Sequence, residues 1–226
     1  MKIGILQAGR SPDETRDQHG DYDEFFQRFL GGKGFEFETF PVLDDVFPAS
    51  VHDADGWLVT GSKFGAYDGY PWIPRLEEFL REAYAAAVPI VGICFGHQVL
   101  AQALGGKVEK FSGGWSAGVE SYQLDGAADG VQLIAWHQDQ VTELPQDAEV
   151  VGSSDFCRYA ALSYGDRAWT IQPHPEFNAE FVHGLIEARR AILPDGVADR
   201  AEASLDQPTS SPQIAEQIAQ FFKRAG

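Results

Sequence analysis

Apolar positions in this chain follow two rhythms. Short apolar or alternating runs near residues 2–7, 35–41, 56–60 and 88–93 predict strands. Longer stretches near 21–31, 71–87 and 97–104, with apolar residues at helical spacing, predict helices. The two kinds alternate as βαβ units, which predicts a mostly parallel central sheet with helices on both faces. After Gly105-Gly106 the rhythm shortens, and residues 107–171 read as short strands and turns forming a small antiparallel extension. Helix returns near 177–191 and 211–224, separated by Asp195 to Pro212, a Pro-, Asp- and Ser-rich loop with one helical turn. Arg10 to Gly20 is polar and charged and reads as a mobile rim over the strand ends. The expectation is a three-layer α/β fold in one domain spanning residues 1–226.

Composition narrows the functional classes. With 44% hydrophobic and 23% charged residues the chain is globular, without repeats or low-complexity tracts. Its formal net charge of −17 opposes nucleic-acid binding, which needs a positive footprint. No apolar run approaches the ~18 residues of a membrane span, and the first strand, Met1 to Gln7, is too short for a secretory leader. Two cysteines argue against a disulfide framework and for a reducing, cytoplasmic setting. No histidine pair has metal-ligand spacing backed by acids or thiols, so no metal site is expected.

One of those cysteines stands in an informative place. The apolar run Val88 to Ile93 ends on Cys94, with Gly92 and Gly96 two positions to either side, and a helical stretch begins at once. Strand, sharp turn, reactive side chain and helix make a nucleophile elbow. Neighbours without Cβ let so tight a turn pack closely. A thiolate there would meet the positive end of the helix dipole. Taken alone, a cysteine at a strand end is more often a small buried apolar side chain, the reading given to Cys157.

A nucleophile needs a base. Of six histidines, His174 lies in Thr170-Ile171-Gln172-Pro173-His174-Pro175-Glu176-Phe177, where two prolines stiffen the backbone. In extended chain, residues two apart face one side, so Glu176 can orient one ring nitrogen and leave the other for a thiol. The alternative is a histidine in a rigid turn bonded to a nearby acid. His137, in Ala135-Trp136-His137-Gln138-Asp139, is the second candidate base. His97 follows Cys94 too closely and suits packing, and His19, His52 and His183 read as surface or helix residues. The aromatic segment Tyr67 to Trp72 either lines the site or is a helix-start turn with Pro71 near the first position.

Together, Gly92-Ile93-Cys94-Phe95-Gly96-His97-Gln98 and His174-Pro175-Glu176 resemble the class I, or triad, glutamine amidotransferases. The likeness is nearest the glutaminase domains of GMP synthases and stand-alone γ-glutamyl peptidases. It covers residues 1 to about 180. The order Cys, His, Glu departs from the Ser, Asp, His order of α/β-hydrolases. The resemblance implies that Cys94 is the nucleophile, His174 the base and Glu176 the orienting acid. It implies oxyanion donors at the backbone N–H groups of Gly61 and Phe95. Gln98 and the loop of Trp136, His137, Gln138 and Asp139 would contact the amino-acid end of the substrate. One stretch departs: after Gly61 the family's Gly-Pro turn is replaced by Ser62-Lys63-Phe64-Gly65-Ala66-Tyr67-Asp68.

The implied reaction is hydrolysis of a γ-glutamyl amide, glutamine first, through a γ-glutamyl thioester and with no cofactor. The chain has no P-loop, so an ammonia-accepting synthase would be a separate protein. The alternatives are a stand-alone hydrolase of γ-glutamyl amides or peptides without a partner, and a non-catalytic regulatory relative.

Overall fold

The structure, a computed structural model, describes residues 1–127 and 129–225. The first half runs β1 (Lys2–Leu6), α1 (Asp13–His19), α2 (Tyr22–Phe29), β2 (Glu36–Phe40), β3 (Gly56–Val59), α3 (Trp72–Ala85), β4 (Ile90–Ile93) and α4 (Phe95–Ala103). Then come β5 (Lys107–Lys110), β6 (Ser116–Leu124), β7 (Val131–His137), β8 (Asp139–Glu143), β9 (Glu149–Ser153), β10 (Ala161–Ser163) and β11 (Ala168–Ile171). Three helices finish the chain: α5 (Ala179–Arg189), α6 (Val197–Ser204) and α7 (Ser211–Ala225).

Nine strands form one sheet in the order β2-β1-β3-β4-β11-β10-β9-β6-β7. From β2 to β11 every pairing is parallel, and from β11 to β7 every pairing is antiparallel. A separate ribbon pairs β5 with β8.

Period-two alternation divides each buried strand between two cores. Leu6, Trp57, Val59 and Ile90 pack under α3 and α4 with Leu76, Leu80, Val99 and Leu100. Ile3, Ile5, Leu58, Val91 and Ile93 pack on the other face with Phe26 and Leu30, and with Ile214, Ile218 and Phe222 of α7. Strands buried on both faces read as continuous apolar runs, which is why the parallel half was visible in the pattern. Burying a large apolar side chain contributes about 1.5–3 kcal/mol, and the sheet buries many on each face.

Two expectations are corrected. Arg10 to Gly20 is not a bare rim: it holds α1, with Asp13 and Glu14 in its first turn and Arg16 and His19 in its last, charges that suit the helix dipole. Arg10 bridges Asp21 and Asp44, which ties the segment down. Residues 195–212 contain more than one helical turn, because α6 runs for eight residues. Its buried face, Val197, Ala198 and Ala201, is too small to show as periodicity. It seats on β6 at Gly118, where a methyl group would lie 2.7 Å from the Ala201 Cα. The Ser204 hydroxyl accepts from the Val119 N–H at 2.8 Å.

Among the described residues no helix is long and apolar enough to cross a membrane.

Candidate active site

The carboxyl ends of β3, β4 and β11 converge, where ligand clefts form in sheets of this kind. Cys94 stands between β4 and α4 at φ 53°, ψ −101°, a backbone conformation that side chains other than glycine rarely adopt. Its N–H is held by the Ile171 carbonyl at 2.9 Å, and its own carbonyl accepts from Gln98 N–H at 3.1 Å. The flanking glycines carry the turn. A methyl group on Gly92 would lie 2.5 Å from the Gly96 carbonyl oxygen, and one on Gly96 would lie 2.9 Å from Val59 Cβ. β4, the first turn of α4 and β3 therefore touch backbone to backbone. As the first residue of α4, Phe95 has an N–H with no acceptor inside the helix, and it stands beside the thiol.

The candidate base, His174, stands just past the end of β11. His174 is 4% exposed, and its N–H is held by the Ile134 carbonyl of β7 at 2.7 Å. Its Nδ1 meets Glu176 Oε1 at 2.7 Å. Gly61 closes the third side. A methyl group there would lie 2.9 Å from His174 Cε1 and 3.9 Å from Cys94 Cβ. Burial opposes charge on the His174 ring, but a Cys94 thiolate and the Glu176 carboxylate outweigh it and push its pKa up to about 10. The surroundings of His174 thus favour its charged form.

His137, the second candidate base, lines the same cleft, but its Nδ1 faces the Asp139 carbonyl at 3.2 Å. Burial, together with the nearby His174 charge, pulls its pKa down to about 4, despite the Asp139 contact. His97 is fully buried, with Nδ1 2.8 Å from Thr170 Oγ1. Burial and the His137 charge pull it down to about 3, so it packs as a neutral ring. Cys157 is a buried thiol pushed up to about 12, chiefly by burial.

Gln98 is buried, and its amide nitrogen donates to the Asp139 carbonyl at 2.9 Å and to Gln172 Oε1 at 3.1 Å. Gln172 in turn directs its amide nitrogen at Cys94 Sγ, 3.6 Å away. Sequence reasoning passed over Gln172, although it lies two positions before His174 and so shares its face of the chain.

The thiol opens into a cavity of about 380 Å³. Near Cys94 its walls are Gln98, His137 and Asp139, and farther out Trp115, Trp136, Ile192 and Leu193. Trp136 pairs edge-on with Trp115 at 6.1 Å. Gln138 also lines it, with its side-chain amide donated to the Phe111 carbonyl. The loop after Gly61 supplies the opposite wall, and the Tyr67 hydroxyl donates to Asp139 Oδ2 at 3.0 Å. Tyr67 therefore lines the site, while Pro71 caps α3. Lys63, Lys110 and Arg189 stand around the cavity, and none forms an ion pair among the described residues.

Comparison with known proteins identifies the family. The family profile "Glutamine amidotransferase class-I" matches residues 27–200. Gamma-glutamyl peptidase 3 of Arabidopsis thaliana is 29% identical, covering 98% of this chain and 96% of the relative. A glutamine-hydrolyzing GMP synthase subunit of Methanopyrus kandleri is 30% identical, over 71% of this chain and 86% of the relative. The crystal structure of a glutamine amidotransferase from Methylobacillus flagellatus superposes with a TM-score of 0.78 at 21% identity, covering 100% of this chain and 94% of that one. The chain belongs to the class I glutamine amidotransferase family.

Proposed function

We propose that the protein hydrolyses γ-glutamyl amide bonds through a Cys94–His174–Glu176 triad. The observation that carries this reading is the strained Cys94 turn facing a buried His174 whose far nitrogen is bonded to Glu176. His174 takes the Cys94 proton, and the thiolate attacks the δ-carbonyl of the γ-glutamyl group. The N–H groups of Gly61 and Phe95 receive the developing oxyanion, donors typically worth ~3–4 kcal/mol each in the transition state. The C–N bond breaks, and ammonia or an amine leaves with the proton from His174. Water, deprotonated by His174, then cleaves the thioester. Glutamate leaves and the thiol is restored.

Two leaving groups fit. A γ-glutamyl peptide is supported by the relative that aligns along nearly the whole chain, a γ-glutamyl peptidase, and by the aromatic and basic outer walls of the cavity. Glutamine, with ammonia passed to a separate synthase, is supported by the match to the GMP synthase. The purified protein is incubated alone with glutamine and with a γ-glutamyl dipeptide while glutamate release is followed. Dipeptide cleavage supports the peptidase, and glutamine turnover alone supports the glutaminase. Activity that survives Cys94→Ser overturns the mechanism.

A further inference from the structure

The turn that carries the base holds one more feature. Phe177 N–H bonds the His174 carbonyl at 3.4 Å, closing a four-residue turn with Pro175 second. That turn folds the Phe177 ring onto the imidazole: centroids 4.0 Å apart, planes 4° from parallel. Among the described residues this is the one stacked aromatic pair. Phe177 meets its other neighbours edge-on or tilted, with Phe181 at 62°, Phe25 at 87° and Tyr22 at 40°. Neutral rings prefer centroids about 4.5–7 Å apart in offset or edge contacts. A cationic ring is instead attracted to the negative face of a phenyl group.

We propose that Phe177 is a positioning residue for His174, supplying the surface on which the protonated imidazole lies. Glu176 fixes the ring within its plane through Nδ1, and Phe177 fixes the tilt of that plane. The two constraints are perpendicular, and both arise from His174-Pro175-Glu176-Phe177. Phe177 is itself immobilised: it is 4% exposed and wedged among Tyr22, Phe25 and Phe181. The charged and titratable groups facing this pair are Cys94, Glu176, Tyr22 and His137, with Asp21 and Arg189 beyond Tyr22. Arg28 over Phe25 and His19 against Phe181 line one cleft with Phe177 and Glu176. Of these groups, Cys94 and Glu176 favour charge on the imidazole, and Phe177 adds to them without a charge of its own.

The proposal rests on His174 being the base, and its test keeps the two apart. The rate of Cys94 alkylation by iodoacetamide is followed against pH in a Cys157→Ser background, with no substrate needed. The rate rises where the thiolate–imidazolium pair forms. Phe177→Met keeps apolar volume but removes the π face, and is expected to move that rise up by roughly one pH unit. Phe177→Tyr restores it. Phe25→Leu loosens the same cluster without touching His174, and is expected to lower the melting temperature while leaving the rise in place. An unmoved rise in Phe177→Met, or an equal shift in Phe25→Leu, overturns the role of Phe177. An unmoved rise in His174→Asn overturns the triad itself.

Discussion

The two halves of the sheet meet the site in different ways. The parallel half, β2-β1-β3-β4-β11, presents the thiol on a turn where backbone touches backbone, and Gly92 and Gly96 leave no room for a methyl group. The antiparallel half, reached through β10, presents walls made of side chains: Trp136 and His137 of β7, with Trp115 just before β6, and Asp139 joins them from the separate β5–β8 ribbon. A reacting group needs its position held to a fraction of an ångström, and rigid backbone does that. A wall has to fit a shape, and side chains can be exchanged to do that. On the proposed function, the parallel half sets the chemistry and the walls set the selection.

The largest effect tests the first half of that statement. Cys94→Ser or His174→Asn is expected to lower kcat on the order of a thousandfold or more in a glutamate-release assay. Next comes a substitution that removes no chemical group. Gly96→Ala forces a methyl group onto Val59 and is expected to cost about 3 kcal/mol or more, read by urea denaturation. Gly69→Ala, in the wall loop where nothing lies within 4 Å, is expected to stay within about 0.5 kcal/mol.

A pH series tests both halves together, because each holds a buried neutral histidine. His97 and His137 have folded pKa values near 3 and 4, below the ordinary 6.5. Their contribution is present above pH 6.5 and is lost as pH falls, by about 1–2 kcal/mol each at pH 5. His174 runs the other way. Its folded pKa of about 10 makes its contribution complete below pH 6.5 and lost as pH rises through 10. Denaturation midpoints should therefore fall on both sides of neutrality. His97→Gln should flatten the acid side alone, and a midpoint unchanged from pH 7 to 5 would sink this account.

The smallest effect belongs to the walls. Trp136→Ala and Arg189→Ala should raise KM for a γ-glutamyl dipeptide several-fold with little change in kcat. A fall in kcat as large as that of Cys94→Ser would erase the distinction between the halves.

The same division governs what was legible beforehand. β3, β4 and the elbow announce themselves because burial on both faces demands apolar runs, and the tight turn demands glycine. His174 and Glu176 were paired by extended-chain spacing, but His174 to Phe177 closes into a turn, and it is this turn that brings Glu176 Oε1 to His174 Nδ1. α6 was hidden because its docking face is valine and alanines against a glycine. The relay from Gln98 through Gln172 to the thiol joins residues far apart in the chain, and no local pattern marks such a pairing. Phe177 sits directly after the His-Pro-Glu motif, yet its ring reads as ordinary core until its angle to the imidazole is known.

Each strand from β2 to β7 is hydrogen-bonded to its neighbours, with one register shift between β9 and β10, and one further hydrogen bond ties His174 to Ile134 of β7. A wall tied by backbone to His174 cannot swing on a hinge without tearing hydrogen bonds. The Trp136 side of the cavity is in this sense a fixed jamb. Opening for entry or release falls to side chains outside the ladder, Tyr67 on one rim and Ile192, 74% exposed, on the other. Traffic through the doorway can then change from moment to moment while the distance from thiol to imidazole does not.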